Sequence, residues 1–96
     1  MGETAQHERH RGIRQMKVKA LYFASARDFA STAAETLSVP EGSSVEDLVQ
    51  AALKLHPRLE AVMKSTKLSV NLDVVPPDTT LHDGDEVGFL PPVAGG

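Results

Sequence analysis

Ser43–Leu55, SSVEDLVQAALKL, is the stretch on which the fold turns. Val45, Leu48, Val49, Ala52 and Leu53 recur at three- and four-residue spacing, while Glu46, Asp47, Gln50 and Lys54 fill the remaining surface, so the segment reads as an amphipathic helix. Ser43-Ser44-Val45-Glu46 has the form of a capping box, and Pro57 stops the helix. A helix that is apolar on one face needs a sheet beneath it, and the flanking sequence supplies the strands.

Upstream, Lys17–Ala24 (KVKALYFA) alternates as a strand, with Val18, Ala20 and Tyr22 on one face and Lys17, Lys19, Leu21 and Phe23 on the other. Ser25–Thr32 is a short irregular or helical connection to a second strand, Glu35–Val39 (ETLSV), which Pro40 ends and Gly42 follows in a turn. The first two strands thus form a loose hairpin. Downstream, Pro57–Lys64 adds another short turn of helix, Leu68–Leu72 (LSVNL) is a third strand, and Val74-Val75 forms a short edge strand before the Pro76-Pro77-Asp78 turn. Asp83-Gly84-Asp85 turns the chain into the last strand, Glu86–Leu90 (EVGFL), which Pro91 and Pro92 end. This order predicts an α+β two-layer domain, a mixed sheet of four to five strands with one main helix on one face. A helix passing from the second strand to a parallel third crosses right-handed.

The chain has 96 residues, enough for a single domain with a small core. Its 41% hydrophobic and 24% charged residues describe a globular protein and not a disordered one. There is no cysteine, which excludes disulfide scaffolds, thiolate metal sites and cysteine nucleophiles. No apolar run approaches the ~20 residues that span a bilayer, and the N-terminus lacks a signal-peptide apolar region, so no membrane association and a cytoplasmic location are expected. Gln6 stands where a myristoylation motif after Gly2 requires Ser or Thr. Net charge is −3, with a small positive excess in residues 1–16, where Arg9, Arg11 and Arg14 face Glu3 and Glu8. An acidic body with few aromatic rings argues against nucleic acid as a partner. Residues 1–16 have no hydrophobic period and read as a flexible extension, with Met16 at its boundary as an alternative start; the domain proper is expected over 17–90, and 91–96 form a projecting tail.

The first and last strands carry apolar side chains in both alternation classes, which a sheet covered on one side does not require. Val18, Ala20, Tyr22, Val87 and Phe89 suit the helix-covered face. Leu21, Phe23, Leu90 and Val74 then group on the uncovered one, each worth roughly 1.5 to 3 kcal/mol if fully buried by a partner. The alternative is that the segments at 25–32 and 57–67 fold over this face and make a second small core.

After the last strand the chain runs Pro91-Pro92-Val93-Ala94-Gly95-Gly96 with nothing left to pack into. Six extended residues reach roughly 20 Å. The prolines stiffen the base and the glycines strip the tip of side chains, so an unhindered carboxylate can enter a channel too narrow for a Cβ. That suits a carboxylate to be activated as an acyl-adenylate and attacked by sulfur or an amine.

With these elements in place, the order resembles the β-grasp fold of ubiquitin. The stretches KALYFASARDF, SVEDLVQAALKLHP, LSVNLDVV and LHDGDEVGFLPPVAGG resemble the small subunit of molybdopterin synthase, the MoaD family, from about Lys17 to Gly96. GDEV and the terminal Gly-Gly are shared with ThiS, the thiamin-pathway sulfur carrier, whereas PPVAGG and YFASAR look more like the molybdopterin branch. The resemblance implies that a MoeB-like, E1-related enzyme uses ATP to adenylate the Gly96 carboxylate, and that sulfur transfer makes it a thiocarboxylate. The tail, Pro91, Pro92, Val93, Ala94 and Gly95, then enters a MoaE-like large subunit in a heterotetramer, where sulfur passes to a pterin precursor. It further implies no catalysis by the chain alone, no tightly bound cofactor, and partner contacts at Phe23, Val74 and Leu90. Three other functions fit the same tail: a sulfur carrier of the thiamin or another pathway, a ubiquitin-like modifier joined to lysines through Gly96, and a non-catalytic interaction domain with an idle tail.

The remaining polar residues suggest little chemistry. Asp83, Asp85 and Glu86 lack the spacing of a calcium loop and are read as turn chemistry. His7 and His10 have no further ligand nearby in sequence, and His56 and His82 have no evident nucleophile, so no metal site is expected. Arg27, just after the first strand, is a candidate for steadying the tail base or meeting a partner carboxylate.

Overall fold

The computed structural model describes residues 14–92. The elements are β1 (Gln15–Tyr22), α1 (Ala24–Ala30), β2 (Ala34–Pro40), α2 (Val45–Leu55), a 3₁₀ turn (Pro57–Leu59), α3 (Glu60–Met63), β3 (Lys67–Val70), β4 (Asp73–Val74) and β5 (Glu86–Leu90). They build one five-stranded sheet in the order β2-β1-β5-β3-β4. β1 and β5 are parallel and every other neighbouring pair is antiparallel. β3 therefore runs in the same direction as β2, with β1 and β5 between them; it is not β2's neighbour.

α2 forms where the periodicity placed it, but one residue shifts its start. The reciprocal cap is Ser44 with Asp47, not Ser43 with Glu46: the Asp47 N–H donates to the Ser44 hydroxyl at 3.2 Å and the Ser44 N–H to the Asp47 carboxylate at 2.9 Å. Such a cap is worth about 1 kcal/mol and sets where the helix meets the sheet. Val45, Leu48, Val49 and Ala52 are buried against Val18, Ala20, Tyr22, Leu37, Val39, Val87 and Phe89, so the helix covers the face assigned to it. The segments around α1 and the 3₁₀ turn add Ala26, Ala30 and Leu59 to this same core. They do not form a second one on the other side of the sheet.

Three strand boundaries move for identifiable reasons. β1 begins at Gln15, because Met16 pairs with Val39 and is only 4% exposed, so the expected boundary after residue 16 falls inside the strand. β1 ends at Tyr22; Phe23 caps α1, and Ala24 takes φ +51° to turn the chain into that helix. The expected strand at 68–72 stops at Val70. Asn71 and Leu72 have φ +51° and +79°, the positive values that a two-residue hairpin turn demands, and Val70 pairs with Asp73 across it.

Candidate functional site

Alternation along the paired strands leaves one face of the sheet without a helix among the described residues. Leu21 lies beside Gly88, Gly88 beside Ser69, and Ser69 beside Val74, so four strands contribute to one row on that face. Lys19 is paired with Glu86 one step below it. Lys17, Lys19, Thr36 and Ser38 make the β1–β2 side of the face polar and exposed. Toward β5 and β3 it becomes apolar.

There a pocket of about 120 Å³ is lined by Leu21, Phe23, Ser69, Leu72, Glu86, Gly88 and Leu90. Gly88 is its floor. A Cβ at this position would sit 2.5 Å from the Ser69 hydroxyl oxygen and 3.4 Å from the Phe23 ring, so only glycine leaves the hollow open without displacing its walls. Phe23 reaches the pocket because the Phe23 N–H donates to the Phe89 carbonyl at 3.2 Å and the turn at Ala24 then drops the ring over Gly88. Phe23 is 46% exposed and Val74 62%, while Leu21 and Leu90 are half-buried.

Of the residues singled out in the sequence, Leu21, Phe23 and Leu90 meet at this pocket, and Val74 flanks it through its pairing with Ser69. Arg27 is exposed on α1 and is not part of the lining. Pro91 is buried and Pro92 exposed, so the chain leaves the domain directly beside Leu90. Val93, Ala94, Gly95 and Gly96 lie outside the described residues. Sequence reasoning missed Gly88, Ser69, Glu86 and Leu72 as pocket residues. The signal for Gly88 was present, since a glycine inside an otherwise apolar strand marks a place where something approaches closely.

The covered face holds a polar cluster that no sequence motif announces. The Tyr22 hydroxyl donates to Glu35 Oε2 at 2.6 Å, and the same oxygen lies 2.7 Å from His56 Nε2 at the end of α2. The Tyr22 ring also meets His56 edge-on and packs against Phe89. Burial, the hydrogen bond to Glu35 and the charge of Glu35, in that order, push the phenol well above its ordinary range. The folded state thus keeps the proton more tightly than the unfolded chain. The stability this confers is complete below about pH 10 and is lost as pH rises beyond it, at up to about 1.4 kcal/mol per pH unit. In urea titrations the wild type should therefore lose stability from pH 10 to 11.5 more steeply than Tyr22→Phe; equal slopes would remove Tyr22 as the cause. This cluster ties the end of α2 to β1 and β2.

Asp83 and Asp85 are turn residues, as expected: Asp83 accepts from the Lys17 N–H at 2.8 Å and Asp85 from the His82 N–H at 2.8 Å. Among the described residues no group of three or more His, Asp or Glu is arranged to hold a metal ion. No helix among them is long and apolar enough to cross a membrane. A second hollow, of about 320 Å³, lies on the other side between α2, α3 and Pro77, where Glu46, Glu60 and Lys64 make its rim charged. Neither Leu90 nor Pro91 is among its lining.

A mixed sheet gripping one main helix, with a bare apolar pocket beside the exit of a Gly-Gly tail, defines a ubiquitin-like β-grasp protein of the carrier type. The chain belongs to the ThiS family, whose model matches residues 20–96. It is 39% identical over 83 residues to the molybdopterin synthase sulfur carrier subunit of Chlamydomonas reinhardtii, covering 84% of this chain and 100% of that one. Among solved structures, a Pyrococcus furiosus protein assigned as molybdopterin converting factor subunit 1 shares 35% identity with a TM-score of 0.74, over 81% of this chain and 99% of that one. One chain of the complex of subunits 1 and 2 of the Helicobacter pylori molybdopterin-converting factor shares the fold, with 24% identity and a TM-score of 0.60 over 84% of this chain and 100% of the matched one.

Proposed function

We propose that this protein is the sulfur-carrier small subunit of a molybdopterin synthase, and that the carboxylate of Gly96 is the carrying group. The observation that carries this reading is the position of the tail root: Leu90 and Pro91 leave the sheet at the rim of an apolar pocket on the face that no helix of the described residues covers. A partner seated on that pocket is held where it can receive the residues that follow. Membership of the ThiS family and full-length similarity to a named sulfur carrier subunit supply the chemistry.

In this scheme an E1-like, MoeB-like enzyme spends ATP on the terminus. The Gly96 carboxylate attacks the α-phosphate and pyrophosphate leaves, giving an acyl-adenylate; sulfide (HS⁻) then adds at the carbonyl carbon and AMP leaves, so that the terminus becomes a thiocarboxylate. Its sulfur is a better nucleophile than the oxygen it replaces. Inside a MoaE-like large subunit the sulfur displaces an oxygen leaving group from a carbon of a pterin precursor, forming an acyl thioester; water then cleaves the acyl–sulfur bond, which returns the Gly96 carboxylate and leaves the thiol on the pterin. The chain contributes no catalytic side chain, holds no cofactor of its own and works in a heterotetramer of two small and two large subunits. Leu21, Phe23, Val74 and Leu90 provide the apolar contacts, Arg27 meets partner carboxylates from α1, and Pro91 to Gly95 form the inserted arm. All of this takes place in the cytoplasm.

The test is the accurate mass of the protein isolated from its own host. A fraction in which one terminal oxygen is replaced by sulfur is expected; its absence from cells that are actively making molybdopterin would remove the carrier assignment. A ladder of larger conjugates carrying this chain would point instead to a modifier.

A further inference from the structure

Leu72 departs from the rest of the sheet in two ways at once. It is 89% exposed, the most exposed large hydrophobic residue among those described, and its backbone has φ +79°, a region that branched and bulky residues rarely adopt. Neither property helps the fold, since a glycine here would make the same turn without strain. Yet the turn is held firmly. The Asn71 N–H donates to the Glu86 carbonyl at 2.8 Å, the Glu86 N–H donates to Asn71 Oδ1 at 3.0 Å, and Asn71 Nδ2 donates to Asp85 Oδ1 at 3.0 Å. These three bonds lock the hairpin tip onto the start of β5, the strand whose other end carries Leu90 and the tail. Leu72 is thereby presented from a fixed backbone as an aliphatic knob at the rim of the Gly88 pocket, which Phe23 and Leu90 also line.

We infer that Leu72 is an anchor residue, inserted into an apolar hollow on the large subunit when the tail is engaged. The inference rests on the function proposed above. That occupant is favoured because the pocket is continuous with the tail root, so whatever accepts the tail must also cover Leu72. A backbone already fixed in place gives up little conformational freedom on binding, which is a condition under which one residue contributes heavily to affinity.

The anchor role separates cleanly from a structural one, because the two predict opposite signs for the same substitution. Leu72→Gly removes the knob and relieves the backbone; Leu72→Asn also tolerates positive φ and is polar. In titrations of the full chain against the large subunit from the same host, both variants should raise Kd at least tenfold. Their thermal midpoints should stay level or rise by a few degrees. Leu55→Ser, at another exposed leucine away from the pocket, should leave Kd unchanged. Unchanged affinity in both Leu72 variants, or a fall in thermal midpoint in both, overturns the anchor while leaving the carrier function standing. Failure of the wild type to bind the large subunit overturns both.

Discussion

Deleting Gly96, or extending it by one residue, should abolish sulfur transfer to the pterin precursor while leaving thermal unfolding unchanged. The core is built from residues well before the terminus: Phe89 is fully buried and Pro91 is buried beside it. The loss of activity should be complete. A truncated chain still ends in a carboxylate, but one residue short, and a reach error of ~3.5 Å removes the reacting carbon from an activating site that works only over near-contact distances. An added residue carries the error in the other direction and puts a Cβ where only a bare backbone fits. The measurement is product formation in a reconstituted reaction with excess activating enzyme and sulfur donor. Product at even a tenth of the wild-type rate from the truncated chain would mean that the terminus is not the carrier. Gly95→Ala probes the same channel and should reduce the rate without eliminating the thiocarboxylate.

Which parts of this were legible beforehand follows from how local the physics is. α2 was readable because its apolar spacing, cap and stopping proline lie within fifteen consecutive residues, and β5 because turn and proline bracket a short apolar run. The one-residue shift of the cap was not, since Ser43 and Ser44 are both competent and the choice is made by tertiary bonds: Val45 N–H to Thr79 and Glu46 N–H to Pro77 fix where the first turn begins. The β3–β4 hairpin hid because Asn71-Leu72 lacks the glycine that usually marks a primed turn, and LSVNL therefore reads as unbroken strand. Leu72 was lost with it. Phe23 was assigned to the open face by strand alternation, and it does line that face, though from beyond the end of β1 and by way of the turn at Ala24. The Tyr22–Glu35–His56 cluster joins residues 13 and 21 positions apart, a distance over which a single sequence carries no register.

Phe23→Asp and Leu90→Asp should each weaken binding of the large subunit by at least about 2 kcal/mol, roughly a thirtyfold rise in Kd, because a carboxylate would be carried unpaired into an apolar contact. The usual objection is that such a change unfolds a small domain, and here the local geometry answers it. Phe23 occupies the cap position of α1 and contributes no side-chain cap bond, while aspartate is among the best residues at that position, so Phe23→Asp replaces an exposed ring with a cap worth about 1 kcal/mol. Leu90 is paired directly with Lys67 across the β3–β5 ladder, which offers the new carboxylate a cation in the free protein. Both variants are therefore expected to fold with thermal midpoints near that of the wild type, and the free-energy loss should appear only on association. It should also appear as faster dissociation and not slower encounter, since the substitutions act on the closed contact. Calorimetry resolves the affinity and surface kinetics the rates. Wild-type affinity in both variants would place the partner on another face, and the pocket over Gly88 would then have no part in tail delivery.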